Sequence, residues 1–344
     1  MGEVPAKIDS RCVRVPRGSA EEARRALLAA DMLRKDLRPA HDRDFVYLPV
    51  KEGEYRGEWP VCAARFKPQV SAPRGYRELV NVPDGLRPLL PRAFDVIGHV
   101  IIIKIPDGLL DFRREIGRAL LEARPEARSV AMDRGVKGQD RVRELEVVAG
   151  LPGLETIHVE HGLKFALDPS RVFFSPRLAT ERLRVARLVA PGETVLDMFS
   201  GVGPFAIHIA KRARPGAVFA ADINPVAIAY LERNLRLNRA SGVVPVPGDA
   251  RLLAGILPPA DRIVMNLPHS AWEFLPVALR ILGPKGTIHL YDLLEPKYKE
   301  EKTARLAAAI EGEGRCAEAI NARLVRGYSA MESHFVFDVE LKGK

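Results

Sequence analysis

The chain has 344 residues, more than one domain usually contains, so two or three domains are expected. Hydrophobic residues make up 47% and charged residues 28%, which are the proportions of a soluble globular protein with a proper core. The net charge of +9 favours polyanionic partners, because Lys and Arg neutralise phosphates. This charge is a weak indication by itself, since many basic proteins touch no nucleic acid.

The sequence shows no segment of the kind that crosses or enters a membrane. Its most apolar run, Ile101–Ile103, is soon followed by Lys104 and Asp107, so it is too short to span a bilayer. The first ten residues, MGEVPAKIDS, lack the apolar stretch of a secretory signal. We therefore expect a cytoplasmic protein.

Cysteine and glutamine are both scarce. The 3 cysteines, Cys12, Cys62 and Cys316, have no CxxC spacing, so we expect small buried hydrophobic side chains rather than disulfide partners or zinc ligands. Glutamine occurs only at Gln69 and Gln139. Such scarcity of heat-labile amides indicates a thermophile, although the abundance of Arg fits a biased genome composition equally well.

The first block, residues 1–68, predicts a small α+β domain. RCVRVP, DFVYLPV and VCAARF have the pattern of short strands. Ser19 and Glu22 form a capping-box pattern that opens the helix AEEARRALLAADML. The following stretch KPQVSAPRG has two prolines and no periodicity, so residues 69–78 are expected to be a linker.

The second block, residues 79–175, predicts a middle α+β domain. HVIIIKI has the pattern of a buried strand, DFRREIGRALLEA that of an amphipathic helix, and RSVAMD, RELEVVAG, TIHVEH and LKFAL that of further strands. Its basic side chains form either an RNA-binding surface or a solvated face whose positive charge is balanced by nearby acidic residues. They are Arg113, Arg114, Arg118, Arg124, Arg128, Arg134, Lys137, Arg141 and Arg143.

The third block, residues 176–344, alternates strands and helices. The strands ETVLDMF, AVFAADI, VVPVPG, DRIVMN and TIHLYDLL alternate with helices, which is the pattern of a parallel, doubly wound sheet. The last two strands, EAINARLVRG and SHFVFDVEL, are joined without a helix and must pair antiparallel. We therefore expect an α/β Rossmann-like domain whose sheet ends in a hairpin, preceded by two smaller α+β domains. A plain dinucleotide-binding fold does not need that hairpin, whereas methyltransferase sheets have it.

A glycine-rich turn carries the strongest local signal. In VLDMFSGVGPF a strand ends at Asp197, Gly201 and Gly203 follow, and Pro204 stands at a first helical position. Glycines here allow a tight turn and close approach of a ligand. Asp222, about 20 residues further on, ends the next strand, where an acidic group holds ribose hydroxyls.

Spacing alone leaves the cofactor open between NAD and S-adenosylmethionine. The loop lacks the third glycine of the dinucleotide fingerprint, but alanine is allowed at that place. Asp197, Asp249 in PGDAR and Asn266 in NLP favour S-adenosylmethionine. All three fall at the predicted carboxyl ends of strands, where α/β sheets bind ligands.

Together DMFSGVGPF, DINP, GDAR and NLP resemble the archaeal and eukaryotic tRNA methyltransferases that methylate N1 of guanine-37. The resemblance covers nearly the whole chain, because that family has a small N-terminal domain and a middle RNA-binding domain. It implies S-adenosylmethionine as cofactor, tRNA as partner, and an N-terminal domain that recognises tRNA shape away from the anticodon. Because this methyl donor is already a sulfonium, no metal is required, and we expect a monomer.

The resemblance also implies the residues of two binding sites. Asp222 would hold the ribose, Asp249 would lie near the adenine, and Phe199, Gly201 and Gly203 would shape the methionine side. The other expected cofactor contacts are Asp197, Ile223, Ala250, Asn266 and Pro268. The expected substrate contacts are Arg141, Phe173, Ser175, Arg177, Pro268 and His269. The family often has Tyr where this chain has Phe173, so any hydroxyl contact there is absent.

Methylation at N1 needs a base, because N1 of guanine carries a proton at neutral pH, and a donor for charge developing on O6. By resemblance the base is Glu181, in the segment PRLATER, and the O6 donor is Arg141, with Arg143 as an alternative. Asn266 has the best case without the resemblance, since its amide both donates and accepts hydrogen bonds.

Each of these residues also has an ordinary structural interpretation. Glu181 stands near a helix start among arginines, where a surface carboxylate is commoner. Arg141 would be a surface arginine paired with Asp140 or Glu144. His269 is more often a loop or capping residue than a second base.

Three other functions compete with guanine methylation. A wyosine-pathway aminocarboxypropyltransferase would share the fold and the tRNA. A non-catalytic RNA-binding protein would have no need of the intact cofactor motifs, and an NAD-dependent oxidoreductase would bind NADH instead. An additional methylation of a wyosine precursor is compatible with the same residues.

Overall fold

The computed structural model of the chain describes residues 7–53, 55, 57–69, 75–137, 142–329 and 331–343. The chain divides into two compact units, Met1–Glu78 and Leu79–Lys344. Within the described ranges, no helix is both long enough and apolar enough for a membrane span.

The first unit is an antiparallel sheet with one helix against it. The strand order is β2-β3-β1-β4, and Val13, Val15, Leu27 and Leu48 form its core. Its elements are β1 (Ile8–Pro16), α1 (Ala20–Ala29), β2 (Ala40–His41), β3 (Phe45–Pro49) and β4 (Val61–Phe66).

Helix α1 differs from the prediction at both ends. Ser19 precedes it, but its side chain makes no capping hydrogen bond, so the predicted capping box is wrong. The helix ends at Ala29 because Asp31 adopts a left-handed conformation, with φ of 51°. This turn sends Leu33 to a bridge with Val50 and into the core of the unit.

The cysteines are only partly as expected. Cys12 is buried and Cys62 is half-buried; they face each other across β1 and β4 with their Sγ atoms 3.0 Å apart, and burial raises the pKa of Cys12 to about 12. Cys316 is exposed, so the expectation of three buried cysteines is wrong there.

The second unit begins with a four-stranded sheet of order β5-β6-β7-β8. Strands β6 and β7 are parallel because helix α3 connects them, and the other two pairs are antiparallel. All four residues of β6 are buried, as the apolar run HVIIIKI predicts. The elements, after a short α2 (Tyr76–Leu79), are β5 (Asp95–Ile97), β6 (Val100–Ile103), α3 (Arg113–Ala123), β7 (Ser129–Lys137) and β8 (Val142–Gly150).

A seven-stranded sheet follows, with order β13-β12-β11-β14-β15-β17-β16. The first five strands in this order are parallel to one another. Strand β17 is antiparallel to both of its neighbours, β15 and β16, so the predicted hairpin ending is confirmed. The elements are α4 (Ala179–Leu188), β11 (Thr194–Asp197), α5 (Pro204–Arg212), β12 (Ala217–Asp222), α6 (Pro225–Asn238), β13 (Val243–Pro247), β14 (Ala260–Met265), α7 (Leu275–Ile281), β15 (Leu282–Leu294), α8 (Lys299–Gly312), β16 (Ala317–Gly327) and β17 (Ser333–Leu341). The helix predicted through Trp272 starts as a 3-10 turn, Ala271–Phe274.

A two-stranded hairpin, β9 (Thr156–Glu160) and β10 (Leu163–Leu167), lies against α6. The buried Asn234 accepts a hydrogen bond from the Ala166 amide at 2.7 Å and donates to the carbonyls of Ala166 and Val202. One side chain thus joins the hairpin, helix α6 and the loop after β11. It therefore provides hydrogen-bond partners for three buried backbone groups that water does not reach.

We expect Asn234→Ala to lower the free energy of unfolding by about 1–3 kcal/mol, because it leaves buried backbone groups unsatisfied. The change would be measured as a lower urea midpoint of the full chain. Asn238→Ala is the matched control, since Asn238 bonds Lys164 in the same way but is only half-buried, so water replaces it. Equal midpoints for the two variants would contradict this role of Asn234.

Candidate active site

The parallel strands bring four predicted residues to one edge of the large sheet. Asp197 ends β11 in register with Ala220 of β12 and Val264 of β14, and Asp222 ends β12. Asn266 directly follows β14, and Asp249 follows β13 by two residues. Because these strands run in one direction, their carboxyl ends form a single edge, where such folds bind ligands.

The glycine turn between β11 and α5 needs its glycines for shape. Gly201 and Gly203 have φ of 53° and 87°, in the left-handed region that residues with a Cβ rarely adopt. A Cβ on Gly203 would also overlap the side chain of Leu231. The amide of Gly201 donates to Oδ2 of Asp222 at 2.7 Å, which ties this turn to the end of β12.

Unpartnered acceptors lie at the same edge. Asp197 is completely buried, and burial, with the nearby charge of Asp222, raises its pKa to about 7. Within the described part of the chain, Oδ1 of Asn266 is buried without a hydrogen-bond partner, and the buried carboxylate of Asp197 has no side-chain partner, only the nearby backbone amides of Phe199 and Ala206. Buried acceptors of this kind are rare unless a ligand supplies the donors.

The other predicted cofactor residues surround this edge. Phe199 packs edge-on against Phe274, with ring centroids 4.9 Å apart. Oδ1 of Asp249 accepts a hydrogen bond from the Arg251 amide at 2.9 Å. Among the remaining residues, Ile223 is exposed, Ala250 is buried and Pro268 is half-buried.

Glu181 is buried, at 4% exposure, so the interpretation as a surface carboxylate is wrong. Oε1 accepts from the Tyr291 hydroxyl at 2.7 Å and from Nη2 of Arg184 at 2.7 Å. Oε2 accepts from Nε of Arg184 at 3.0 Å and from Nη2 of Arg323. Burial by itself would raise the pKa of Glu181, but these hydrogen bonds and the charges of Arg184 and Arg323 outweigh burial and lower it. The carboxylate is therefore ionised at neutral pH.

A chain of buried polar groups extends from Glu181 across the sheet. Arg184 also binds both carboxylate oxygens of Asp338, at 2.8 and 3.1 Å. Asp338 in turn contacts Nδ1 of His289, while Arg262 donates to Nε2 of that ring at 2.9 Å. Since arginine can only donate, His289 is the tautomer that carries its proton on Nδ1. Burial lowers the pKa of His289, so the ring is neutral.

Glu181 lies at the same edge as Asn266. Met265 of β14 pairs with Leu290 of β15, so Tyr291, which donates to Glu181, stands beside Asn266. The register of two neighbouring strands thus places the predicted base-orienting amide next to the residue that binds the predicted base.

The predicted arginines are placed differently. Arg141 lies outside the described residues. Arg143 donates twice to Asp95 at 3.2 Å, with only 14% of its side chain exposed, and Arg177 donates to the same carboxylate at 2.6 Å. Arg113 and Arg134 both form salt bridges with Glu146. For that part of the basic cluster, this supports the interpretation as a solvated face whose charge is balanced by nearby acidic residues.

The other predicted substrate residues are divided between surface and interior. Phe173 is exposed, and its carbonyl lies beside Gly201. Ser175 is buried, and its carbonyl accepts from Arg182 at 3.0 Å. His269 is exposed after the NLP motif, with its ring 6.2 Å from that of Tyr328 at the end of β16.

Sequence reasoning missed Tyr291, Arg184, Arg323 and Asp338, the residues that hold Glu181. A signal was present for some of them. His289 and Tyr291 alternate in the apolar strand TIHLYDLL, and Asp338 interrupts SHFVFDVEL, where buried polar side chains need partners. Arg184 is three residues from Glu181, a spacing at which helical side chains meet. Nothing in the sequence indicates Arg323, because its contact depends on the pairing of the last strands.

The large sheet with its antiparallel ending, the glycine turn and the acidic strand ends define a class I methyltransferase that uses S-adenosylmethionine. No cluster of metal-binding side chains occurs in the ranges that the structure covers.

Comparisons with known proteins identify the family. The TRM5/TYW2 methyltransferase domain matches residues 156–316, the TYW2 N-terminal domain residues 76–153, and the tRNA methyltransferase 5 N-terminal domain residues 12–55. The chain is 45% identical to tRNA (guanine(37)-N(1))-methyltransferase Trm5b of Pyrococcus abyssi over 280 residues, 81% of this chain and 83% of the relative. The chain belongs to this family of tRNA methyltransferases, as the sequence motifs predict.

Two solved structures extend the comparison. The complex of aTrm5 and tRNALeu has a TM-score of 0.74 and 30% identity, covering 96% of this chain and 99% of that chain. TYW2 of Methanocaldococcus jannaschii in complex with AdoMet has a TM-score of 0.58 and 27% identity, covering 73% of this chain and 100% of that chain. The predicted fold is confirmed, and the TYW2 structure is the less similar of the two.

The edge described above fits S-adenosylmethionine. The carboxylate of Asp197 is buried with no side-chain partner among the described residues, so it suits a ligand that carries positive charge and N–H donors. Asp222 has a carboxylate fixed by the amides of Gly201 and Asn224, which sets its oxygens in place for hydroxyl donors.

We expect Asp222→Ala to weaken S-adenosylmethionine binding by about ten- to a hundredfold, since hydrogen bonds to a charged group are worth roughly 1.5–3 kcal/mol. Calorimetry on the full chain measures the affinity. Asp261→Ala is the control, because Asp261 also accepts a backbone amide, that of Thr194, but at the opposite end of β11. Unchanged affinity in a folded Asp222→Ala variant would rule out this placement of the ribose.

Proposed function

We propose that the protein is a tRNA (guanine-37-N1)-methyltransferase in which Glu181 removes the N1 proton of the target guanine. The observation that carries the proposal is a buried, ionised carboxylate held by Tyr291, the strand neighbour of Asn266 at the edge of the sheet that suits the cofactor. The Pyrococcus abyssi relative has the same activity in its name, and the chain aligns with most of its length.

The reaction can be followed through the side chains. S-adenosylmethionine supplies the methyl group from a sulfonium, and the electrons of the broken carbon–sulfur bond stay on sulfur. Glu181 accepts the N1 proton, which leaves the N1 electron pair free to form the bond to the methyl carbon. Oδ1 of Asn266 is buried without a partner among the described residues; it accepts an N–H of the base edge and so holds the ring in plane.

Arg141 remains the proposed donor to O6. The alternative, Arg143, is less suitable because its guanidinium is already bound to Asp95 and is almost buried. Bases of an anticodon loop are stacked, so guanine-37 must leave its stack to reach Glu181. Phe173, exposed beside the glycine turn, offers a surface against which a flipped base packs.

Glu181→Gln tests the base. It keeps size and hydrogen-bonding reach but removes basicity, so we expect single-turnover methylation to fall by about 10²- to 10⁴-fold while tRNA and cofactor affinities barely change. The matched control is Glu160→Gln, another buried carboxylate with an arginine partner, Arg182, which should lower stability but leave the rate of folded protein normal. A near-normal rate for Glu181→Gln at neutral pH would refute the assignment, and His269 would be the next candidate.

We further propose that tRNA recognition is shared by an N-terminal domain of residues 1–68 and a middle domain of residues 79–175, joined by the linker 69–78 and followed by the methyltransferase domain, 176–344. The separate sheet and core of the first unit support its independence. The monomeric state, the cytoplasmic location and any second methylation of a wyosine precursor stay predictions.

Removing residues 1–74 tests the N-terminal domain. We expect tRNA affinity to fall by about tenfold or more, because phosphate and shape contacts are lost, while S-adenosylmethionine affinity is kept. For the full chain, the logarithm of tRNA affinity should fall linearly with the logarithm of salt concentration. Filter binding across a salt series measures both, and equal tRNA affinity of the two proteins would contradict the proposal.

A further inference from the structure

The carboxylate of Glu181 is saturated with donors. A carboxylate offers about four lone-pair positions, and here Tyr291, Arg184 twice and Arg323 use four. A guanine N1–H therefore has no free position on Glu181. If Glu181 is the base, one of these donors must leave when the substrate arrives.

The surroundings of the donors show which one is exchangeable. Tyr291 is completely buried in β15. Arg184 makes two hydrogen bonds to Glu181 and two to Asp338, and its side chain is 23% exposed. Arg323 donates to Glu181 through Nη2 alone, and 44% of its side chain is exposed. Among the described residues Arg323 makes no other side-chain hydrogen bond.

Arg323 also lies on a strand that reaches the loop after Asn266. It belongs to β16, the outermost strand of the sheet, in register with Val336 of β17 and Tyr291 of β15. The same strand ends near Tyr328, whose ring faces His269 after the NLP motif. The end of β16 and the loop after Asn266 are therefore neighbours, and Arg323 of the same strand reaches Glu181.

We propose that Arg323 is a further catalytic residue: the guanine N1–H takes its place on Oε2 of Glu181, and the released guanidinium donates to O6 of the same ring. This inference rests on the proposed function. In guanine the N1–H and O6 are on adjacent atoms, so a donor that leaves Oε2 is already next to O6. As Glu181 takes the N1 proton, negative charge moves to O6, where a cation stabilises it. A carbonyl oxygen accepts two hydrogen bonds, so Arg141 and Arg323 can both serve it.

The exchange also changes the charge around Glu181. The groups that face it are Arg184 of α4, Tyr291 of β15, Arg323 of β16, and His334 and Asp338 of β17. Burial, followed by the charge of Arg326, lowers the pKa of His334 to about 4, so this ring is neutral. Burial would raise the pKa of Asp338, but the hydrogen bond from His289 and the hydrogen bonds and charge of Arg184 hold it at about 2. Among these groups, Arg323 is thus the cation that the substrate can displace. Its departure makes Glu181 a stronger base when the substrate is present.

Single-turnover methylation of a tRNA transcript, with the full chain and saturating tRNA and S-adenosylmethionine, tests the proposal. We expect Arg323→Ala to slow methyl transfer by about 10²-fold, as loss of one donor to a developing oxyanion does, with tRNA affinity within about threefold. Arg323→Lys, which keeps the positive charge, should recover at least about tenfold of that loss. Arg280→Ala removes an exposed arginine of α7 and should have the normal rate, which controls for net charge.

The pH profile separates this role from a structural one. Without the cation, removal of the N1 proton becomes limiting, so the Arg323→Ala rate should rise more steeply between about pH 6 and 9 than the wild-type rate. The proposal would be overturned if the Arg323→Ala rate were normal, or if it fell by the same factor at every pH. It would also be overturned if only tRNA affinity fell, or if Arg323→Lys did not restore the rate. Glu181→Gln measured alongside distinguishes the failures: if it is slow while Arg323→Ala is normal, only the inference about Arg323 fails.

Discussion

The burial of an ionised carboxylate at Glu181 is the constraint on which the arrangement of this site depends. A charge removed from water is costly unless other groups neutralise it and hydrogen-bond it. Helix α4 provides Arg184, β15 provides Tyr291 and β16 provides Arg323. Two of these elements belong to the part of the sheet where it changes from parallel to antiparallel. The hairpin therefore helps to hold this carboxylate as well as ending the sheet.

At Asp197, burial outweighs the groups that stabilise the charge, which is the opposite of the balance at Glu181. Both carboxylates are almost free of solvent, but Asp197 has no side-chain partner among the described residues, so burial and the nearby charge of Asp222 raise its pKa to about 7. Glu181 has two arginines and a phenol, so its pKa is lowered. Environments that shift the pKa values of two carboxylates in opposite directions indicate two different roles. Asp197 suits a cationic ligand that would favour its charge, and Glu181 suits a proton from the substrate.

Much of the fold and of the cofactor edge could be predicted from local sequence. The alternation of strands and helices, the glycine turn and the polar residues at strand ends depend on patterns within a few residues, and the structure places them as expected. The details that failed are those that tertiary contacts decide. Helix α1 stops early because Leu33 joins the core of the first unit, and Ser19 leaves its capping position unused.

The sequence by itself determined the class of fold, the glycine turn, the acidic strand ends and the candidate residues Glu181 and Asn266, because hydrophobic period and turn chemistry are local properties. Only the tertiary structure decided that Glu181 is buried, that Tyr291 and Arg323 share its carboxylate, and that Arg143 is committed to Asp95. Arg323 and Glu181 are 142 residues apart in the chain. Contacts of that kind follow from strand order and register, which bring distant side chains together without leaving a mark on either local sequence.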